Sequence, residues 1–412
     1  MSERSKKIIF AIFFVAFSIG MGYALFYLFF RAGQPQPTAP GAPGVTGQLP
    51  SAGTGVPTAA TPTAPGGLPP SAVAFPPEAP AIAGQPIAPS KTHLLRDGVT
   101  QAVTPSPDGS GARFYNPEDG RFYRVGPDGT ITLMSEKQFF NVQTVDWGKK
   151  NDQAILEFPD GSNVFYDFQQ KKQVVLPKHW EDFDFSPTDQ KVAAKSIGVD
   201  VNNRFLITAN PDGTETKALE PLGNNAALVH DAWAPNGQIV AYAETGEAQP
   251  DNGQEIYFVG QNHENYRSLI APGQGFLPTW SPTGKQLLFS VYNNDTQDKP
   301  SLWLTAGEPG TIGANRKNLN IQTWADKCAW AGDTDLYCGV PQGLPDNAGL
   351  QRSDFTSFPD DLFHIDLTQG TVTKISTPDQ VFPVRQPVLN KDHTKFIFTD
   401  AQTGKLYSYD LK

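Results

Sequence analysis

Trp280-Ser281-Pro282-Thr283-Gly284 leads directly into the apolar run Leu287-Leu288-Phe289. The stretch reads as a short strand, a tight turn and a second strand. Proline suits the first corner of a turn, and glycine supplies the backbone angle needed just after it. The pattern returns as Trp233-Ala234-Pro235-Asn236-Gly237 before Ile239-Val240-Ala241-Tyr242, and as Phe185-Ser186-Pro187-Thr188-Asp189 before Val192-Ala193-Ala194. Looser copies begin at Pro105, Trp147, Trp330 and Leu389. Successive copies start 42, 38, 48, 47, 50 and 59 residues apart. A unit of short strands recurring every ~40–50 residues marks a β-propeller. The sequence therefore predicts an all-β fold of seven four-stranded blades, with Trp147, Phe185, Trp233, Trp280 and Trp330 as repeat anchors.

Within the first repeat, Asp108-Gly109, Asp119-Gly120 and Asp128-Gly129 mark hairpin turns. Outer strands of later repeats are expected at 173–176, 215–219, 266–270, 317–321 and 371–375. The last repeat runs out one strand short of four. Thr92-His93-Leu94-Leu95-Arg96 stands where an outer strand would fall. These residues are expected to close the ring and remove its free sheet edges; the alternative is that they belong to the linker before them.

Trp-Ser-Pro-x-Gly followed by apolar residues resembles the WD40-like repeat of TolB-type propellers, over roughly residues 93–412. The resemblance implies the repeat architecture. Tol-system propeller proteins carry a soluble α/β domain before six blades. This chain is read with seven repeats, an anchor and a linker, so the resemblance does not extend to membership of the Tol system.

The 412-residue chain has a net charge of −10 and a pI near 5.1. No basic cluster is long enough to neutralise a run of phosphates, so no nucleic-acid partner is expected. After Met-Ser-Glu-Arg-Ser-Lys-Lys, the 23 residues from Ile8 to Phe30 hold no charge. At ~1.5 Å per residue that length spans a bilayer core of ~30 Å. No small-x-small site precedes Arg31, so the segment reads as an uncleaved signal anchor rather than a cleaved signal peptide. Arg4, Lys6 and Lys7 precede it and Arg31 alone follows, which places the N-terminus in the cytoplasm. Residues 32–90 hold 15 prolines and 9 glycines with Glu78 as their only charge. Such a segment cannot bury enough apolar area to offset its ordering entropy. The expected organisation is a cytoplasmic tail at 1–7, an anchor at 8–30, a linker at 31–90 and a propeller at 91–412. The propeller would stand on the periplasmic or extracellular side of the cell membrane.

Cys328 and Cys338 are the only cysteines. If Trp330 pairs with Leu336, the two cysteines face each other at a separation that a disulfide bridges. An exported domain is where such a bridge persists; two free buried thiols are the alternative. Two cysteines and six scattered histidines offer no metal-ligand spacing. No Gly-x-Ser-x-Gly elbow, His-Glu-x-x-His, Walker A loop or sialidase-type box occurs, so neither catalysis nor a cofactor is expected. The anchor tryptophans suit a carbohydrate platform, but their fixed place in the repeat suits packing between blades better.

Connections longer than a hairpin fall at 196–203, 244–255, 291–300 and 339–361, each between the second and third strands of a repeat, hence on one face of the disc. The three longest carry Glu244, Glu247, Asp251, Glu255, Asp295, Asp298, Asp346, Asp354, Asp360 and Asp361, against Lys299 and Arg352, a net of −8. This face is expected to receive a basic protein or a divalent cation such as Ca²⁺; acidic loops kept for solubility are the plainer alternative. The whole reads as a single-pass, membrane-anchored, non-catalytic protein–protein scaffold in a cell-envelope or surface complex. The rival is a glycan-binding or glycan-cleaving propeller that uses carboxylates of its central channel.

Overall fold

The computed structural model describes residues 90–376 and 382–411, together with Phe14, Phe17, Gly20 and Met21, which are helical. The chain divides into two units, Met1–Ile82 and Ala83–Lys412, and the propeller belongs to the second. The expected tail, anchor and linker lie outside the described residues except for those four and Ser90. Among the described residues, no helix is long and apolar enough to cross a membrane.

Seven antiparallel sheets form the blades. Each is named here from its inner strand, a, to its outer strand, d. Blade 1 is Gln101–Pro105, Ala112–Asn116, Arg121–Val125 and Ile131–Leu133. Blade 2 is Thr144–Trp147, Gln153–Glu157, Asn163–Asp167 and Lys172–Leu176. Blade 3 is Trp180–Phe185, Val192–Ile197, Arg204–Ala209 and Lys217–Pro221. Blade 4 is Val229–Asp231, Ile239–Ala243, Gly253–Gly260 and Leu269–Ala271, with a short extra strand at Ala248–Gln249. Blade 5 is Gln274–Trp280, Gln286–Tyr292, Ser301–Ala306 and Lys317–Asn318. Blade 6 is Cys328–Ala331, Asp335–Pro341, Asp360–Asp366 and Thr371–Ser376. Blade 7 is Val384–Leu389, Lys395–Asp400 and Leu406–Asp410, with Thr92–Arg96 as its outer strand. Thr92 faces Tyr409 and Arg96 faces Leu406, so the first strand of the domain closes the last blade.

Most b strands are buried at successive rather than alternate positions, because blades pack on both of their faces. Ala112–Asn116 is buried at every position. Seven hydrophobic clusters fill the seven gaps between successive blades. Each anchor lies in the gap toward the preceding blade: Trp147 against blade 1, Phe185 against blade 2, Trp233 against blade 3, Trp280 against blade 4 and Trp330 against blade 5. Cys328 and Cys338 pair across blade 6 with their Cα atoms 4.0 Å apart and form the disulfide.

Three outer strands depart from their expected limits. In blade 3 the strand starts at Lys217, because Glu215 takes a left-handed backbone (φ 52°) that no strand tolerates. In blade 5 it is only Lys317–Asn318, and Asn320 (φ 56°) turns the chain away. In blade 4 it begins at Leu269 rather than Tyr266.

Candidate functional site

The a–b turns build one face of the disc. In five of them the fifth residue of the repeat motif has a left-handed backbone: Gly109 (φ 71°), Asp189 (61°), Gly237 (78°), Gly284 (73°) and His393 (49°). Its amide donates to the carbonyl three residues back, as Gly284 does to Ser281 at 2.8 Å and Asp189 to Ser186 at 3.0 Å. Neighbouring turns are also joined to one another. The Lys391 amide donates to the Gly109 carbonyl (2.8 Å). The Arg113 guanidinium donates to the carbonyls of Gly148 (2.8 Å) and Asn151 (3.0 Å). The Asp189 carboxylate accepts from the amides of Lys149 (2.6 Å), Lys150 (2.8 Å) and Asn151 (2.7 Å). Asp333 accepts from the amide (3.2 Å) and hydroxyl (2.5 Å) of Thr283.

The inner strands of blades 2, 3 and 4 carry Asp146, Asp182, Asp184 and Asp231. An inner strand has one unpaired edge, and its amides need acceptors. Two of these carboxylates serve that edge: Asp184 Oδ2 accepts from the Trp233 amide (2.6 Å), and Asp182 Oδ2 from the Asp231 amide (3.4 Å). Each also has a lysine, with Lys149 Nζ 2.5 Å from Asp184 Oδ1 and Lys195 Nζ 3.0 Å from Asp182 Oδ2. Asp231 differs. Both of its carboxyl oxygens are closed off from solvent without a hydrogen-bond partner, and so is Asp146 Oδ2. Burial, then the charge of Asp182, holds Asp231 well above the usual carboxylate range, with Lys195 pulling the other way. Burial, then Glu157, does the same to Asp146.

Two cavities open beside these groups, and the Lys149–Asp184 pair lines both. One, of about 620 Å³, is also lined by Asp146, Trp147, Arg113 and Arg385. The other, of about 510 Å³, is also lined by Asp231, Trp233, Trp280 and the turn prolines Pro187, Pro235 and Pro282. The four inner-strand carboxylates escaped the sequence reading. A signal exists for three of them: Asp146 and Asp184 stand one residue before Trp147 and Phe185, and Asp231 two before Trp233, in three successive repeats.

The long b–c connections occupy the opposite face, and they are more ordered than a set of free loops. Asn347 and Gly349 of the 342–359 connection donate their amides to the carbonyls of Gln297 (2.9 Å) and Asp298 (2.7 Å). Lys299 pairs with Asp346 at 3.0 Å. Leu344 and Ala348 pack on Trp324, with Leu277, Phe355 and Phe358 around them. Arg352 pairs with Asp326 and lies 5.5 Å over the Trp324 ring.

Of the residues expected on the acidic face, Glu247, Asp251, Asp295, Asp346 and Asp354 are exposed. Glu244 is half-buried and accepts from Gln254 Nε2 (2.7 Å). Asp298 is half-buried. Glu255 lies within strand c of blade 4 and accepts from Ser268 Oγ at 2.7 Å. Asp361 pairs with Lys374 (2.7 Å) and accepts from Gln342 (2.7 Å). Asp360 does not belong to the surface. It is 1% exposed and holds Lys327 Nζ at 2.6 Å and the Val384 amide at 2.6 Å. Burial pushes its carboxyl up to about 6 although Lys327 opposes the shift. The sequence counted Asp360 as a free charge because its partner stands 33 residues away. Among the described residues, no three His, Cys, Asp or Glu side chains are grouped to hold a metal ion.

No family model matches the chain, and no curated protein matches it. Solved structures do. An oligogalacturonate lyase in complex with manganese is 13% identical with a TM-score of 0.52, over 78% of this chain and 90% of that one. An oligogalacturonate lyase from Vibrio parahaemolyticus is 12% identical with a TM-score of 0.53, over 77% and 93%. The Cps50 (Swd1) β-propeller domain of Myceliophteria thermophila is 10% identical with a TM-score of 0.53, over 78% and 100%. The fold these structures share with this chain is the β-propeller. At such identities the likeness extends to the fold alone.

Proposed function

We propose that the chain is a single-pass, membrane-anchored scaffold whose WD40-like, TolB-type propeller stands outside the cytoplasm and binds a basic protein partner through its b–c face. The observation that carries this reading is the joining of the two b–c connections of blades 5 and 6 into one supported surface. Exposed carboxylates at Asp295, Asp346 and Asp354 stand on that surface beside the exposed Leu350. Loops held on a rigid scaffold are where binding concentrates, and a charged rim around an apolar contact is the ordinary anatomy of a protein interface. Docking of this kind weakens with salt.

The test is photo-crosslinking in intact cells from a benzophenone side chain at Glu247 or Asp354, with Thr283 on the opposite face as control. A discrete product from the first two sites that charge reversal at Asp295 and Asp346 abolishes is expected. Products from Thr283 alone would overturn the reading.

The glycan reading draws on a separate observation, the 620 Å³ cavity where Asp146, Trp147, Arg113 and Arg385 meet. Saturation-transfer NMR with neutral and acidic oligosaccharides tests it. Signals that survive Asp146→Asn unchanged would count against it.

A further inference from the structure

The 510 Å³ cavity on the a–b face is lined by a residue whose carboxyl group no hydrogen-bond donor meets. Asp184 has Lys149, and Asp182 has Lys195. Lys150 also lines the cavity, from the exposed turn whose amides hold Asp189. Asp231 keeps both oxygens buried with no donor in reach, and the Trp280 indole Nε1 is likewise buried without an acceptor. A native interior rarely leaves such groups unmet, because each costs about 1–3 kcal/mol. Asp231 and Trp280 both belong to the lining of one cavity, together with Trp233.

We propose that this cavity binds an organic cation, an alkylammonium or guanidinium group, with Asp231 as its counter-charge and Trp233 and Trp280 as its aromatic walls. Three features select this class. A carboxylate removed from water gains most from a cation that can also donate hydrogen bonds to both of its oxygens. Among aromatic side chains, indole attracts ammonium and guanidinium groups most strongly. A divalent metal would need several oxygen ligands, and no three-carboxylate group is present among the described residues. The volume exceeds one ammonium group by far, so the alkyl stem enters with it and lies along the prolines Pro187, Pro235 and Pro282. The site lies on the opposite face from the loops proposed to receive a partner, and the two stand or fall separately.

Two sources can present this chemistry: a free amine, and a lysine side chain on another protein. Calorimetric titration of the full-length protein in detergent compares n-butylammonium, N-acetyl-lysine methylamide and 1-pentanol, the last a neutral probe of similar length. Saturable binding of at least one cation, with 1-pentanol at least tenfold weaker, is expected. Tighter binding of the lysine derivative assigns the site to a protein side chain, and tighter binding of butylammonium to a free amine. Asp231→Asn, which keeps the side-chain shape, is expected to weaken the preferred cation at least tenfold while leaving the melting curve cooperative. Equal binding of 1-pentanol, absence of binding by both cations, or an affinity unchanged within twofold in Asp231→Asn overturns the proposal. The comparison of cation with alcohol on the unmodified protein decides the matter even if the variant folds poorly.

Discussion

A carboxyl group with both oxygens closed off and no donor in reach, as at Asp231, is a charge that the fold accommodates at a cost. Its folded-state proton affinity lies above that of the unfolded chain. Folding therefore takes up protons, and stability falls as pH rises above about 4, where the unfolded group ionises. Asp231→Asn should stabilise the empty protein at pH 7 by about 1–3 kcal/mol, a gain that shrinks toward zero near pH 4. Urea unfolding at both pH values reads it, and an equal effect at the two would show that ionisation is not the source. Asp189 shows the opposite balance. It sits at φ 61° and satisfies three amides of the neighbouring turn. Asp189→Ala removes the acceptor and keeps the strained angle, for a loss of roughly 2–4 kcal/mol; Asp189→Asn should recover only part of it, because its NH2 would face a backbone N–H where the second carboxylate oxygen accepts. The motif in the sequence identified the turn but not this bond, because the partners of Asp189 lie in another repeat.

Among the elements, the a–b hairpin of blade 6 was legible down to its covalent link. A turn of known length fixes the register, and register decides which side chains face each other. The bridge closes a loop with a sequence separation of 10. In the chain-entropy picture such a loop is worth about 2–3 kcal/mol. The Cys328→Ala/Cys338→Ala pair should lose that much, read as a lower urea midpoint with an unchanged m-value. A loss below 0.5 kcal/mol would show that the surrounding 5/6 core holds the hairpin without it. The 342–359 connection was located correctly but not its packing. Leu344 and Ala348 meet Trp324, and Asn347 meets Gln297, contacts that no local pattern encodes. The outer strands were the least legible elements. Edge strands pair on one side only, and a single left-handed residue such as Glu215 ends them.

At the scale of the molecule, the ring was readable because each blade repeats the same turn chemistry, and its closure was readable because one strand was missing at the end. The channel was not readable. It is assembled from inner strands of different repeats, and Asp182 and Asp184 fall at a register shift that the sequence does not announce. Closure carries its own prediction. Residues 92–96 cover the outer edge of blade 7, and their neighbours add the pairs His93–Asp410 (3.0 Å) and Lys405–Asp97 (2.6 Å). Deleting residues 91–97 should lower the melting temperature by about 10 °C, the scale of a loss near 5 kcal/mol in a domain of this size. A truncated propeller that melts like the intact one would show that the ring holds without its clasp.

That clasp also sets how the domain responds to load. The closing strand runs antiparallel to the last strand, and Thr92 faces Tyr409. Ser90 and Leu411 therefore leave the sheet at the same end of the pair. Tension between the two chain ends opens the hydrogen bonds of that pair one after another, as a zip, instead of loading them together in shear. The first event under traction is the peeling of one five-residue strand, with six complete blades behind it still intact. The fold thus places its weakest mechanical joint where the chain enters the disc, and a pull from the N-terminal side would be spent there before it reached the channel or the loop face.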